Sequence, residues 1–218
     1  MGEAALAAAA RRVCDGALVA YPTETVWGLG ADAASELALG RLRSWKQRSV
    51  QAPISILVCE PDDLERLGFE PDVMARALAD RFWPGPLTLV LPCRRRFAHG
   101  VARADGAVGV RCSPHPVAAG LARWVARLGG GPLTATSLNP GGGPAARTRE
   151  EAKALCASGA SGDGGETDPH LVDVDGADAG RALPSTVLDL TGARADVLRW
   201  GAVPERALSA ALQEIRAS

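Results

Sequence analysis

Short apolar runs, each closed by glycine, proline or a capping residue, recur along the chain and read as buried strands at 17–21, 53–58, 87–91, 108–112, 133–137, 171–174, 187–190 and 197–200. Between them, apolar residues spaced three to four apart predict helices. The first covers 3–14 and stops at Asp15-Gly16. Ser35 can cap a second, with Leu39, Leu42 and Trp45 along one face. Pro61 and Pro71 open two more, and the latter must end near Trp83-Pro84. Pro116 starts a helix with Val117, Leu121, Trp124 and Leu128 on one side, closed by Gly129-Gly130-Gly131. Thr148 and Glu151 form a capping box for the next helix, and Pro204 begins the last. Residues 158–169 are rich in Gly, Ser and Asp and read as a mobile loop. Strands and helices mingle throughout, with no repeat and no separating linker, so the class is α/β and the expected unit is one domain over 1–218.

Composition narrows the function classes. The chain is 47% hydrophobic and 22% charged with net charge −1, a balance that suits a soluble globular protein and argues against broad, nonspecific nucleic-acid binding. A local basic cleft stays open. Cys14, Cys59, Cys93, Cys112 and Cys156 are scattered without a C-x-x-C pair, which favours reduced thiols over a disulfide frame or zinc site. His99, His115 and His170 have no metal-ligand spacing, so no protein-held metal is expected. No apolar run approaches the ~20 residues of a membrane span, and the N-terminus lacks signal-peptide order. The expected location is the cytoplasm, with no membrane partner.

Candidate chemistry collects at strand ends. Tyr21-Pro22-Thr23-Glu24-Thr25-Val26-Trp27-Gly28-Leu29-Gly30 leaves a strand with two hydroxyls around a carboxylate, and its glycines allow a tight turn or close approach to a ligand. Lys46, Arg48, Arg111 and Arg199 stand at element ends; two of them, in Lys46-Gln47-Arg48, suit a polyphosphate if they meet in a cleft, and suit a solvated helix end otherwise. Thr134 to Asn139, followed by glycines, offers hydroxyls, an amide and free N–H groups for an anion, or simply a polar turn. Pro184-Ser185-Thr186 has the same double reading. Arg94-Arg95-Arg96 reads as a solvated loop that can also touch RNA phosphates, and Trp45, Trp83 and Trp124 as core.

In order along the chain, these blocks resemble one family. Pro22-Thr23-Glu24-Thr25-Val26-Trp27-Gly28-Leu29 is similar to the P-T-[DE]-T-x-[YW]-G-L signature of the YrdC/TsaC family, and Lys46-Gln47-Arg48 to its K-x-R motif. Phe82-Trp83-Pro84-Gly85-Pro86-Leu87-Thr88 resembles its F-W-P-G-P-L-T block. Val110-Arg111, Thr136 to Asn139, Ser185 to Asp189 and Arg199 to Ala202 follow in the family's order, over about residues 10–205. The resemblance implies a twisted mixed sheet with flanking helices around a deep basic cleft, in the short form without an extra C-terminal domain.

The activity it implies is synthesis of L-threonylcarbamoyladenylate from L-threonine, bicarbonate and ATP, with Mg²⁺ accompanying ATP. The product would go to the tRNA threonylcarbamoyl-transfer machinery for t⁶A at position 37, with at most weak RNA contact by this chain. Carried over by position, Thr23, Arg111, Ala135 and Ser185 would hold threonine. Lys46, Arg48, Ser137, Asn139 and Arg199 would hold ATP, with Lys46 and Arg48 also catalytic. Ser49, Ala52, Leu138 and Gly141 depart from the family pattern on the nucleotide side. Two alternatives follow from those departures and from the fold: a catalytically weak RNA- or nucleotide-binding paralogue, and a carbamoyltransferase-like domain.

Overall fold

The computed structural model describes residues 2–49, 52–158, 167–172, 174, 178–180 and 183–217. Its helices follow the expected stops and caps. Helix α1 (Glu3–Cys14) ends at Asp15, and α2 (Glu36–Lys46) begins where the Ser35 hydroxyl accepts from Ala38 N–H. The short α3 (Asp63–Arg66) is followed by α4 (Val73–Phe82), capped by Asp72 and halted at the cis Trp83-Pro84 bond. Helix α5 (Pro116–Arg127) carries its proline in the first turn, α6 (Arg149–Cys156) has the full Thr148/Glu151 capping box, and α7 (Glu205–Ala217) closes the chain.

Two mixed sheets form the frame. In the first, β6 (Thr136–Ser137), β2 (Gly28–Gly30), β1 (Val19–Tyr21) and β7 (His170–Leu171) lie in that order. In the second the order is β3 (Ile56–Val58), β5 (Ala107–Cys112), β4 (Leu87–Pro92), β8 (Thr186–Asp189) and β9 (Asp196–Arg199). Each sheet contains parallel and antiparallel pairs. The larger apolar core includes Trp27, Trp45, Leu42 and Leu89; a second gathers Tyr21 and Leu133 with the apolar faces of α1 and α5. All five cysteines are free thiols.

Three differences from the sequence expectation matter. Residues 28–30 form a strand rather than a turn, because their glycines serve a packing contact. A Cβ on Gly28 would stand 2.8 Å from the Tyr21 ring, and one on Gly30 would meet the same ring at 3.0 Å. Strand and aromatic ring therefore approach closely here. Second, the segment read as one strand over 133–137 divides its hydrogen bonds between both sheets. Third, most of the loop expected at 158–169 lies outside the described residues.

The divided segment joins the two sheets. Leu57 N–H donates to Leu133 O (2.8 Å), and Ala135 N–H donates to Ser55 O (2.6 Å), which ties the segment to the entrance of β3. On its other side Thr134 N–H donates to Ala31 O (2.9 Å). The fully buried Thr134 hydroxyl donates to Leu29 O (3.1 Å) and accepts from Ala31 N–H (2.9 Å), while Tyr21 OH donates to Thr134 O (2.8 Å).

Lys46 fixes the chain just beyond this junction. Its side chain is only 5% exposed, and its Nζ donates to Ser137 O, to Asn139 O (3.0 Å) and to Asn139 Oδ1 (2.8 Å). Those three acceptors match the three protons of an ammonium. Gly141 N–H in turn donates to Lys46 O (2.9 Å). Gly141 has φ +53° and Gly142 φ +76°, left-handed values that favour glycine. Leu138 is fully buried, and its N–H donates to Trp27 O (2.8 Å). Its departure from the family pattern therefore falls on packing rather than on an open surface.

Two expectations follow. Thr134→Val keeps the shape but removes the acceptor of Ala31 N–H and one donor to Leu29 O, so urea unfolding should show a loss of about 1–3 kcal/mol; an unchanged midpoint would remove the hydroxyl from the junction. Burial, with Arg48 nearby, pushes the Lys46 ammonium down to about 7 from its ordinary 10.5. Between those values the unfolded chain binds more protons than the folded one, so the Lys46 contribution to stability rises with pH across that window. The stability difference between wild type and Lys46→Met should move in favour of wild type from pH 7 to 10, and a pH-independent difference would refute this assignment.

Candidate active site

A cleft of about 240 Å³ opens between the two sheets beside the junction. Its walls come from the β1–β2 loop, the approach to β3, the inner strands β4 and β5, the junction itself, and the ends of β8 and β9. Among the sequence candidates, Thr23, Arg48, Arg111, Ala135, Ser137, Ser185 and Arg199 all line it. Residues more than 150 positions apart thus meet around one space. Lys46 and Asn139 are not among its lining residues and are bonded to each other. The Lys46 protons are directed to the 137–139 turn. Their effect on the cleft is to hold Ser137 in place.

Among the described residues, the lining contains four arginines and no aspartate or glutamate. Their surroundings divide them. Arg103, absent from the sequence candidates, pairs with Asp105 and Asp189 and donates to Thr191 Oγ1 (3.0 Å), so its charge is already met. Arg111 pairs with Glu24. Arg48 and Arg199 have no carboxylate partner among the described residues. Arg48 donates to Pro53 O (2.9 Å) and weakly to Thr136 Oγ1 (3.4 Å); Arg199 donates to Ser185 O (2.9 Å) and Ser185 Oγ (3.2 Å). Burial and then the neighbouring guanidiniums, Arg111 and Arg48, lower the proton affinity of Arg199. Burial and then Arg43 do the same to Arg48. A polyanion placed here would relieve that mutual repulsion.

The hydroxyls are less equal than the sequence suggested. Thr23 Oγ1 donates to Val26 O (2.7 Å), accepts from Thr25 N–H (3.1 Å) and lies 2.9 Å from Thr25 Oγ1. One donor and two acceptor positions are thereby used, and the hydroxyl closes the loop on itself. Ser185 Oγ lies 2.8 Å from Thr88 Oγ1, a lining hydroxyl that pattern reasoning passed over as part of a buried strand. The Ala135 N–H is spent on Ser55, which leaves its carbonyl as the group it offers. Ser137 Oγ donates to Asn139 Oδ1 (2.6 Å).

Two glycines set the arginines at these distances. Gly85 O accepts from Arg111 Nε (3.3 Å), and a Cβ on Gly85 would stand 2.2 Å from Phe82 O. The F-W-P-G-P block therefore needs glycine to turn its carbonyl onto Arg111. Gly201 passes so near Pro184 that a Cβ would sit 2.2 Å from its carbonyl oxygen, which brings Arg199 against Ser185.

Among the described residues no group of three or more His, Cys, Asp or Glu side chains could hold a metal, and no helix is long and apolar enough to cross a membrane. The donor set at the cleft is guanidinium, hydroxyl and carbonyl.

Comparison with known proteins agrees with this geometry. The family model for Sua5, YciO and YrdC, described as telomere recombination, matches residues 12–201. A Cellvibrio japonicus protein named threonylcarbamoyl-AMP synthase is 37% identical over 145 residues, 66% of this chain and 75% of the relative. The Pseudomonas putida protein of the same name is 36% identical over 196 residues, 88% of this chain and 95% of its own length. The structure of P. abyssi Sua5 complexed with L-threonine superposes with TM-score 0.83 at 32% identity, covering 97% of this chain; the chain spans 58% of that longer protein. E. coli YciO, at 20% identity and TM-score 0.76, shares the fold. A cleft with two unpaired arginines, the ordered motif blocks and a match over 12–201 lead to one conclusion: the chain belongs to the Sua5/YciO/YrdC family.

Proposed function

We propose that this chain is a threonylcarbamoyl-AMP synthase, forming L-threonylcarbamoyladenylate and pyrophosphate from L-threonine, bicarbonate or CO₂, and ATP. The observation that carries the reading is the division of charge in the cleft: two arginines without counter-ions among the described residues beside two that are already neutralised. Relatives named for this reaction support it, as does a related protein's complex with L-threonine.

The chemistry fits such a site. The threonine amine takes up CO₂ to give an N-carboxylate and releases one proton. A carbamate oxygen then attacks the α-phosphorus of ATP; the new O–P bond forms as the bond to the β-phosphate oxygen breaks, and pyrophosphate leaves. Both reactants are anionic, so their encounter requires positive charge fixed in advance. Arg48 and Arg199 supply it at the phosphate end, beside Ser137. Arg111 offers hydrogen bonds to the amino-acid carboxylate, and the Ala135 carbonyl and Ser185 hydroxyl face the same space. No nucleophilic side chain is needed. Mg²⁺, expected with ATP, finds no carboxylate among the lining residues, so it would arrive on the phosphates as part of the substrate. The product would pass to the tRNA threonylcarbamoyl-transfer machinery in the cytoplasm.

The carbamoyltransferase-like alternative predicts turnover of carbamoyl phosphate, and the binding-module alternative predicts no turnover at all. Pyrophosphate release from MgATP should require both threonine and bicarbonate; release without either, or none with both, would reject the synthase. Arg48→Ala should lower that release by about 10²-fold or more while leaving the thermal unfolding profile intact, and near-normal activity would mean that the phosphates lie elsewhere.

A further inference from the structure

The proposed function leaves Glu24 without a task, although it lies between the two threonines of the opening motif. It forms no part of the cleft lining, yet both its carboxylate oxygens are engaged. Oε1 pairs with Arg111 Nη2, and Oε2 accepts from Ser113 Oγ (2.5 Å). Arg111 is held on two further sides, by Gly85 O on Nε and by Thr25 Oγ1 on Nη2 (3.0 Å). Three of its five N–H groups are therefore committed, and Nη1 alone has no partner among the described residues. Arg111 is 7% exposed and lines the cleft.

We infer that Glu24 is a positioning residue for the amino-acid substrate, clamping Arg111 through Nη2 so that the Nη1 edge is left to accept a carboxylate. This rests on the synthase reading, in which Arg111 meets threonine. The physical case is that a guanidinium at a strand end has several rotamers, and one aimed wrongly by an ångström forfeits most of its value to a small ligand. The Glu24 clamp removes that freedom before substrate arrives. It also gives Arg111 a counter-ion, so this end of the cleft offers directed hydrogen bonds rather than net charge. A singly charged carboxylate suits such a group, whereas the unpaired Arg48 and Arg199 suit a polyphosphate. Ser113 is the second half of the device. Its hydroxyl donates to Glu24 while accepting from His115 N–H (3.2 Å), so the clamp is anchored at the exit of β5, the strand that also carries Arg111.

Steady-state pyrophosphate release by Glu24→Ala and Glu24→Gln is the test, with wild-type release dependent on threonine serving as the control for the synthase reading itself. Glu24→Ala should raise the KM for L-threonine about tenfold or more, with kcat changed less than about threefold and the KM for ATP within about twofold. Glu24→Gln can still accept from Nη2 and should recover most of the lost threonine affinity. Ser113→Ala, which removes the clamp's anchor and leaves Glu24 in place, should give a smaller rise of the same kind, and it serves if Glu24→Ala does not fold. A threonine KM within about twofold of wild type in folded Glu24→Ala would overturn the inference. So would an equal rise in both KM values, or a Glu24→Gln variant as impaired as Glu24→Ala. If wild type itself shows no threonine dependence, the synthase reading fails instead.

Discussion

Everything at the cleft depends on one short stretch of backbone. Leu133 to Ala135 divides its hydrogen bonds between the exit of β2 and the entrance of β3, so two separately ordered sheets act as one frame. Thr134 has the central place because its side chain repeats the bonding of its main chain. Its hydroxyl and N–H both serve residues 29–31, and its carbonyl takes the Tyr21 phenol. A buried threonine with every polar atom paired is stiff. Because Ala135, Thr136 and Ser137 follow it directly and line the cleft, that stiffness passes to the site within three residues.

The cleft gains its character from unequal neutralisation of similar groups. Four arginines share the space, but Arg103 and Arg111 have carboxylate partners while Arg48 and Arg199 have none among the described residues. The result is a gradient of unsatisfied charge within one cavity. Such a gradient orients a ligand that is itself unevenly charged, and a carbamate attacking a triphosphate is of that kind.

Much of this was readable from the sequence, for reasons that differ between levels. Helix boundaries came from local chemistry: Ser35, Pro116 and the Thr148/Glu151 box each act within a turn of their own position. The set of cleft residues came from motif blocks, and seven of the nine named candidates line it. What pattern could not supply was direction. Lys46 and Arg48 share a motif, yet Arg48 lines the cleft while the Lys46 ammonium is bonded to Ser137 and Asn139. Thr23 looks like a free hydroxyl until Val26 O and Thr25 N–H are placed around it. Glu24 had no legible role because its partners, Arg111 and Ser113, lie more than 85 residues away and join it only through the fold. The glycines of β2 show only part of their use in the sequence: Gly28 lines the cleft, and the Tyr21 ring on the paired strand also requires them.

Arg199 donates three times to Ser185, from Nε and Nη2 to its carbonyl and from Nη2 to its hydroxyl. These two residues stand at what the synthase reading treats as opposite ends of the reaction, phosphate and amino acid. Any turn of the guanidinium toward an incoming phosphate must loosen those bonds and release the serine hydroxyl and carbonyl for another partner. On the synthase reading the two substrates would therefore share one hydrogen-bonded pair, and by thermodynamic reciprocity any influence of one on the other would run equally in both directions.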